Sequence, residues 1–226
     1  MSYFITGTDT GIGKTLVSCA LLHAFAARGI PVAGYKPVAC GCEMDGQNED
    51  VKKLRAASNV PASHGQINPY KFIQPIAPHI AAQNAGVCID FARIMDSYRE
   101  LASQADVVIV EGIGGFRVPL NDTQDSADLA VVLGLPVIMV VGMRLGCLSH
   151  ALLTTRAIAD CGLACAAWVA NVLDAYMAAL PENIAALQQR IASPLLGVVP
   201  FQSDLDGRKA AGKLNLELLK TNRAGC

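Results

Sequence analysis

The residues best suited to chemistry lie near the amino terminus, in the segment GTDTGIGKT at positions 7–15. Gly11 and Gly13 let the backbone turn its N–H groups inward, and a helix starting near Thr15 would add the positive end of its dipole. Lys14 could then reach the β- and γ-phosphates of a nucleotide, while the Thr15 hydroxyl could ligate Mg²⁺. The segment predicts a phosphate-binding loop, and the alternative is a glycine-rich turn before an ordinary helix.

The spacing of this loop is unusual. The pattern G-x-x-x-x-G-K-[ST] requires a glycine at position 8, where this chain has Thr8, and the glycine comes one residue earlier at Gly7. The front half of the loop therefore carries the polar residues Asp9 and Thr10 before the glycine turn. The pattern by itself leaves open what these two residues do.

Two further charged residues follow predicted strands. Glu111 ends the strand of DVVIVEG, where many phosphate-loop enzymes carry a carboxylate for the metal, so it could bind Mg²⁺ directly or through water. Its alternative role is to cap the next helix. Lys36 precedes Pro37, which favours an extended backbone and would project the ammonium group from the strand end. A lone lysine in such a place is often just solvated.

Three weaker candidates lie at helix starts or strand ends. Asp50 opens a short helix, and by itself it would be a helix cap. Residues 146–149 follow an apolar strand, so free backbone N–H groups there could hold a substrate anion such as a carboxylate, with capping by Ser149 as the alternative. Asn171 ends a strand and could hydrogen-bond a nucleotide base or occupy a turn.

Short apolar runs alternate with segments of helical period along the whole chain. This alternation predicts a doubly wound α/β fold, with a mostly parallel sheet, helices on both faces and the architecture of phosphate-loop nucleoside triphosphatases. Ligands bind such sheets at the carboxyl ends of the strands, which is where the candidate residues fall. Residues 1–226 are expected to form a single domain, with a mobile loop at 40–48 and a frayed tail at 221–226. Strands are predicted at 3–6, 32–35, 106–112, 136–141, 164–170 and 195–199, and helices at 15–28, 50–58, 90–105, 126–133, 148–160, near 181 and near 216.

Composition excludes several classes of partner. The formal net charge is −1, with 18 basic and 19 acidic residues, so no basic surplus suggests nucleic acid or an anionic membrane. The longest apolar run, 131–143, is shorter than the ~20 residues of a membrane-spanning helix. The amino terminus has no basic segment typical of a signal peptide. The eight cysteines form no C-x-x-C pair, and we expect a reduced, cytoplasmic chain without a zinc site.

The order of several motifs resembles the dethiobiotin synthetase family. The shared motifs are GTDTGIGKT, AGYKPVA, NPY, APHIAA, VEGIGG, LPVIMVVG, LGCLSHALLT, WVAN and PLLGVVP, and they span roughly residues 2–202. The resemblance implies a Mg²⁺- and ATP-dependent ligase of biotin synthesis, usually a homodimer. Its substrates would be 7,8-diaminononanoate and CO2 or bicarbonate, and its products dethiobiotin, ADP and phosphate.

The resemblance also implies roles for individual residues. Lys36 and Lys14 would act in catalysis, with Lys36 next to a substrate carbamate. Thr15, Asp50 and Glu111 would hold Mg²⁺. The ATP-binding set would be Gly11, Ile12, Gly13, Lys14, Thr15, Leu16, Asp50, Glu111, Gly112, Ile113, Gly114, Asn171, Val172, Pro200, Phe201 and Gln202, and the diamine-binding set Thr10, Cys40, Gly146, Cys147, Leu148 and Ser149.

The chain departs from the family pattern at several of these positions. Gly11 stands where the enterobacterial loop has Glu, and Cys40 where a serine commonly faces the diamine. Ser149 and Asn183 replace an Asn and a Tyr, so the anchoring of the substrate carboxylate is expected to differ. The metal residue after the variable loop could be Asp50 or its neighbour Glu49.

The family chemistry suggests a purpose for the long front half of the loop. A diamine carbamate has to meet the γ-phosphate at the mouth of the site. We expect Thr10 to contact the diamine or its carbamate, and Asp9 to shape the loop rather than bind metal.

Two other functions fit the loop less well. A regulatory ATPase of the partitioning or metallochaperone type would share the fold, but such proteins typically carry an early lysine where this chain has Asp9 and Thr10. Another amide-forming ligase of the cobyrinate amidase kind would usually add a glutamine amidotransferase domain, for which 226 residues leave no room.

Overall fold

A computed structural model describes residues 1–219. Its strands are β1 (Tyr3–Gly7), β2 (Val32–Tyr35), β3 (Val38–Cys40), β4 (Tyr70–Phe72), β5 (Val107–Glu111), β6 (Val137–Met143), β7 (Cys165–Val172) and β8 (Leu195–Val199). Its helices are α1 (Lys14–Ala26), α2 (Glu49–Ala57), α3 (His64–Ile67), α4 (Pro78–Asn84), α5 (Phe91–Ala102), α6 (Ser126–Leu133), α7 (Cys147–Asp160), α8 (Leu180–Gln188) and α9 (Gly207–Ala211), followed by a 3₁₀ turn at Leu216–Leu218.

Six strands form the main sheet in the order β2-β5-β1-β6-β7-β8, and every pairing between them is parallel. β1 therefore lies between β5 and β6, and its carboxyl end meets theirs at one edge of the sheet. The fold class predicted from the sequence is confirmed. This topology brings the loop after β1 next to Glu111 at the end of β5.

Both faces of the sheet are covered. Along β6, Val137, Met139 and Val141 pack into one core cluster, and the intervening Ile138 and Val140 pack into the other. This alternation follows from the pleat, which sends successive side chains to opposite faces. The strand has no polar face because neither of its faces meets solvent.

The predicted elements of the main sheet are present, with bounds that shift by one to three residues at most ends. Asp90 caps α5 as expected, by accepting a hydrogen bond from the Ala92 N–H. Asp50 does not cap α2. Asn48 is the N-cap and accepts from the N–H groups of Asp50 and Val51, so the Asp50 side chain is free to face the site.

The elements that sequence reasoning missed are short: β3, β4, α3, α4 and α9. Strands β3 and β4 pair in parallel as a separate two-stranded sheet beside the end of β2. The last predicted helix is the 3₁₀ turn. The predicted frayed tail at 221–226 lies outside the described residues, and the mobility predicted for 40–48 stays a prediction. Among the described helices, none combines the length and apolar character that crossing a bilayer requires.

Candidate active site

The phosphate loop owes its shape to two glycines with left-handed backbone. Gly13 is the N-cap of α1 at φ 90°, and Gly11 has φ 72°. A Cβ atom at Gly13 would lie 2.2 Å from Asn171 Nδ2, which itself donates a hydrogen bond of 2.8 Å to the Ile12 carbonyl. A Cβ atom at Gly11 would meet nothing within 4 Å, so there is room for the side chain that the enterobacterial loop carries here. What favours glycine at this position is the left-handed backbone conformation.

The early glycine of the loop has a packing role. Ile12 is 1% exposed and inserts into the carboxyl edge of the sheet. A Cβ atom at Gly7 would lie 2.7 Å from Ile12 Cδ1, and one at Gly142 would lie 2.6 Å from Ile12 Cγ2. Ile12 thus packs the loop against β1 and β6, in the space left by the absent side chains of Gly7 and Gly142.

Asp9 organises the front half of the loop. Its carbonyl accepts a hydrogen bond of 2.9 Å from Lys14 Nζ, and its carboxylate accepts one of 2.7 Å from the Thr10 N–H. The same carboxylate forms an ion pair with Arg144, in the turn between β6 and α7. These contacts fit the expectation that Asp9 shapes the loop.

Behind the loop lies a buried cluster of opposite charges. Lys36 Nζ is 2.5 Å from Glu111 Oε1 and 3.0 Å from Asp50 Oδ2. Thr15 Oγ1 donates to the same Glu111 oxygen at 2.9 Å. Lys36 is 5% exposed and Glu111 1%, so this pair is withdrawn from water.

The lysines of the site titrate differently. Burial and the nearby charge of Lys36 lower the pKa of Lys14 to about 8, against the opposing pull of Glu111 and Asp50. Burial also acts to lower the pKa of Lys36, but the two carboxylates outweigh it and raise that pKa above its ordinary value. Burial acts to raise the pKa of Asp50, and the Lys36 ammonium outweighs it and lowers that pKa. Lys36 is therefore a permanent cation, whereas Lys14 can lose its proton within an accessible pH range.

The cluster offers oxygen donors of the kind that could hold a magnesium ion. Glu111 Oε2 is buried and has no hydrogen-bond partner among residues 1–219, so one carboxylate oxygen is left for a further cation. The Thr15 hydroxyl and the Asp50 carboxylate are the other oxygens around it, and Mg²⁺ completes such sets with phosphates and water. Glu49, the rival of Asp50, instead pairs with Lys53 at 3.5 Å on the surface. The described part of the chain has no group of three or more His, Cys, Asp or Glu side chains that could hold a metal.

One cavity of about 880 Å³ opens in front of this cluster. It unites all three predicted metal residues, most of the predicted phosphate-loop residues and two of the six predicted diamine residues in a single space. Members of the predicted set that line it are Thr10, Gly11, Gly13, Lys14, Thr15, Leu16, Lys36, Cys40, Asp50, Glu111, Ile113 and Gly114.

The remaining predicted residues lie outside the lining of this cavity. Asn171 is 3% exposed and holds the phosphate loop. The predicted base contacts Val172, Pro200, Phe201 and Gln202 lie beyond the lining, as do the loop residues Ile12 and Gly112 and the α7 residues Gly146, Cys147, Leu148 and Ser149. Capping of α7 by Ser149 is wrong, since its N-cap is Gly146 at φ 94° and no side-chain cap bond is found there among the described residues.

Sequence reasoning missed several residues of the site. The cavity continues along α1 past Cys19 and His23 to Leu205–Arg208, before and at the start of α9. The side-chain amides of Asn68 and Asn48 donate hydrogen bonds to the backbone carbonyls of residues 36 and 40, which are distant in sequence. The NPY motif is a signal for Asn68, but its contacts depend on tertiary structure.

Comparisons with known proteins show which family the chain resembles. A family model described as an AAA domain matches residues 1–209. The ATP-dependent dethiobiotin synthetase of Nitrosospira multiformis is 54% identical over 214 residues, covering 95% of this chain and 94% of the relative. The enzyme of the same name from Aromatoleum aromaticum is 55% identical over 218 residues, covering 95% and 97%.

Solved structures support the fold alone. The MinD cell division protein of Aquifex aeolicus has a TM-score of 0.55 at 12% identity, covering 94% of this chain and 87% of that one. A ParA family ATPase from Chlorobium tepidum TLS has a TM-score of 0.56 at 15% identity, covering 93% and 90%. The sequence relatives decide the family, and the chain belongs to the ATP-dependent dethiobiotin synthetases, which are ligases of biotin biosynthesis.

Proposed function

We propose that this chain closes the ureido ring of dethiobiotin from 7,8-diaminononanoate and CO2, with ATP and Mg²⁺. The observation that carries the proposal is one cavity lined by the phosphate loop, Lys36, Thr10 and Cys40 together. A phosphate donor and an amine-bearing acceptor can meet in such a space. Most of the required rate enhancement in phosphoryl transfer comes from positioning and from neutralising charge.

The residues of the chain divide the work between them. A diamine nitrogen takes up CO2 as a carbamate, a carbamate oxygen attacks the γ-phosphate, and the second nitrogen closes the ring and expels phosphate. Lys14 leaves the Asp9 carbonyl for the phosphates, and Lys36 supplies a fixed positive charge beside the carbamate. Thr10 lies on the rim of the cavity, where its hydroxyl can hydrogen-bond the carbamate or an amine. The Cys40 thiol, whose pKa burial raises to about 11, faces the diamine as a neutral group.

The metal would be held by the Thr15 hydroxyl and the carboxylates of Asp50 and Glu111. When bound, Mg²⁺ neutralises developing charge on the transferred phosphoryl group. The unpartnered Glu111 Oε2 supports this assignment, because a buried carboxylate oxygen without a partner is costly. Lys36 and Thr15 hold the other oxygen and so fix the carboxylate plane.

The amino end of α7 would hold the substrate carboxylate. Its backbone N–H groups and helix dipole favour an anion. Leu145, directly before this end, is 99% exposed, Leu153 within α7 is 67% exposed, and Tyr176, after β7, is 93% exposed. We propose that a second copy of the chain covers these side chains in a homodimer.

Asn171, Val172 and 200–202 remain the proposed base contacts. The predicted cytoplasmic location and the single-domain organisation also remain proposals.

ATP turnover with each substrate left out in turn tests the proposal. ADP release should require both diaminononanoate and bicarbonate, and should stop in the presence of a chelator of divalent cations. Turnover that depends instead on a protein or DNA partner would favour a regulatory ATPase.

A further inference from the structure

The backbone of Lys36 lies just outside the main sheet. Strand β2 ends at Tyr35, and Pro37 has no N–H with which to continue a ladder. Two consecutive residues bind both backbone groups of Lys36 instead. The Lys36 N–H donates to the Ile67 carbonyl at 2.9 Å, and the Lys36 carbonyl accepts from Asn68 Nδ2 at 2.7 Å.

Asn68 is itself held rigidly. It is 2% exposed, its N–H donates to the His64 carbonyl at 2.9 Å, and its amide nitrogen also donates to the Tyr70 carbonyl at 2.9 Å. Both partners of the side-chain amide are carbonyl oxygens, so its NH₂ group and not its Oδ1 faces them. Its Oδ1 is buried without a partner among the described residues, an arrangement that stability alone does not favour.

We propose that Asn68 is the positioning residue of Lys36. Its side-chain amide donates hydrogen bonds to the carbonyls of Lys36 and of Tyr70, the first residue of β4. The backbone from which the Lys36 side chain extends is therefore fixed relative to β3 and β4. The ammonium group then reaches Glu111 and Asp50 within hydrogen-bond distance. The effect on ring closure rests on the proposed function, whereas the effect on the placement of Lys36 does not.

The expected effect of removing the amide follows from geometry. In Asn68→Ala the Lys36 carbonyl loses its donor, and its backbone can move. A misplacement of about 1 Å at a reacting group commonly costs about 10² in rate. We expect kcat to fall by about that factor while the KM for ATP changes little, because the hydrogen bonds of Asn68 go to Lys36, Tyr70 and His64 and not to the phosphate loop.

Placement is measured separately by acetylation of lysines with N-hydroxysuccinimidyl acetate and mass spectrometry. Lys36 is 5% exposed and should react slowly in the unaltered chain and at least about tenfold faster in Asn68→Ala. Lys14, which is 7% exposed, serves as an internal control and should keep its rate. The matched control variant is Asn59→Ala, which removes an asparagine that binds the opposite end of the same strand through Val32 and Ile30.

The possible results distinguish a role of Asn68 in placing Lys36 from a general loosening of the structure. Faster acetylation confined to Lys36, together with a fall in kcat, supports the role of Asn68. A folded Asn68→Ala with unchanged Lys36 acetylation and unchanged kcat overturns it, as does an equal rise at Lys14, which would indicate general loosening. If Asn68→Ala does not fold, the variant Asn68→Ser replaces it, because serine retains one hydrogen-bond donor. Its Lys36 should be acetylated at a rate between those expected for the unaltered chain and for Asn68→Ala. If the unaltered chain makes no dethiobiotin, the proposed function fails while the acetylation comparison still tests Asn68.

Discussion

Replacing Lys36 by alanine should cost both stability and activity. The Lys36 ammonium group is hydrogen-bonded to Glu111, with 2.5 Å between Nζ and Oε1. The Glu111 side chain is 0% exposed. Removing one partner of a buried ion pair typically costs ~3–5 kcal/mol, because the other charge stays buried and uncompensated. Asp50 is 40% exposed and can turn to water, so we expect the free energy of unfolding to fall by about 3 kcal/mol, the lower end of that range. Turnover should fall by about 10²–10³ as the charge beside the carbamate is lost.

Urea unfolding at neutral pH, with and without Mg²⁺, measures the stability part. Mg²⁺ should return part of the lost free energy, because a ligand that binds the folded state stabilises it by mass action. The double variant Lys36→Ala/Glu111→Gln should recover much of the loss, since it removes both charges. Lys52→Ala breaks an exposed pair with Glu43 and serves as the control, with little change expected. An unfolding free energy of Lys36→Ala equal to that of the unaltered chain would refute the buried pair.

Four further outcomes follow from the structure of the site. Glu111→Gln should weaken the Mg²⁺ dependence of turnover, and an unchanged Mg²⁺ titration would count against Glu111 as a ligand. Gly13→Ala should abolish binding of a fluorescent ATP analogue, because its Cβ atom would lie 2.2 Å from Asn171 Nδ2 and its φ is 90°, and retained binding would contradict this loop geometry. Since the pKa of Lys14 is lowered to about 8, ATP affinity should decline above that pH and binding should take up a proton, as calorimetry in buffers of different ionisation enthalpy would measure. The same shift makes the unfolded chain bind more protons than the folded one between about pH 8 and 10.5, so the contribution of Lys14 to stability should rise with pH across that window.

The sequence was informative where chemistry and local pattern coincide. Gly13, Lys14 and Thr15 are adjacent, and their roles depend on a strand, a turn and a helix that the pattern predicts. Glu111 ends a strand whose apolar run identifies it as central, and parallel pairing then brings it to the loop. A local pattern and the parallel-sheet rule were therefore sufficient to bring these residues together, whereas their roles remain proposals.

The parts that sequence reasoning missed depend on contacts between distant residues. Asn68 binds a carbonyl 32 positions away. Asn171 was predicted only as a contact of the nucleotide base, and its hydrogen bond to the Ile12 carbonyl, 159 positions away, was missed. Strands β3 and β4 have three residues each, too few for a period to be recognised. The cap of α2 was misassigned because Asn48, Glu49 and Asp50 are consecutive polar residues, and capping propensity alone does not decide between neighbours.

The most direct test of the account is the product itself. The chain should be incubated with ATP, Mg²⁺, diaminononanoate and ¹³C-bicarbonate, and the mixture analysed by mass spectrometry. We expect dethiobiotin with one added mass unit from the labelled ureido carbon, formed with ADP in equal amount. ADP release without diaminononanoate, and without any labelled product, would contradict it.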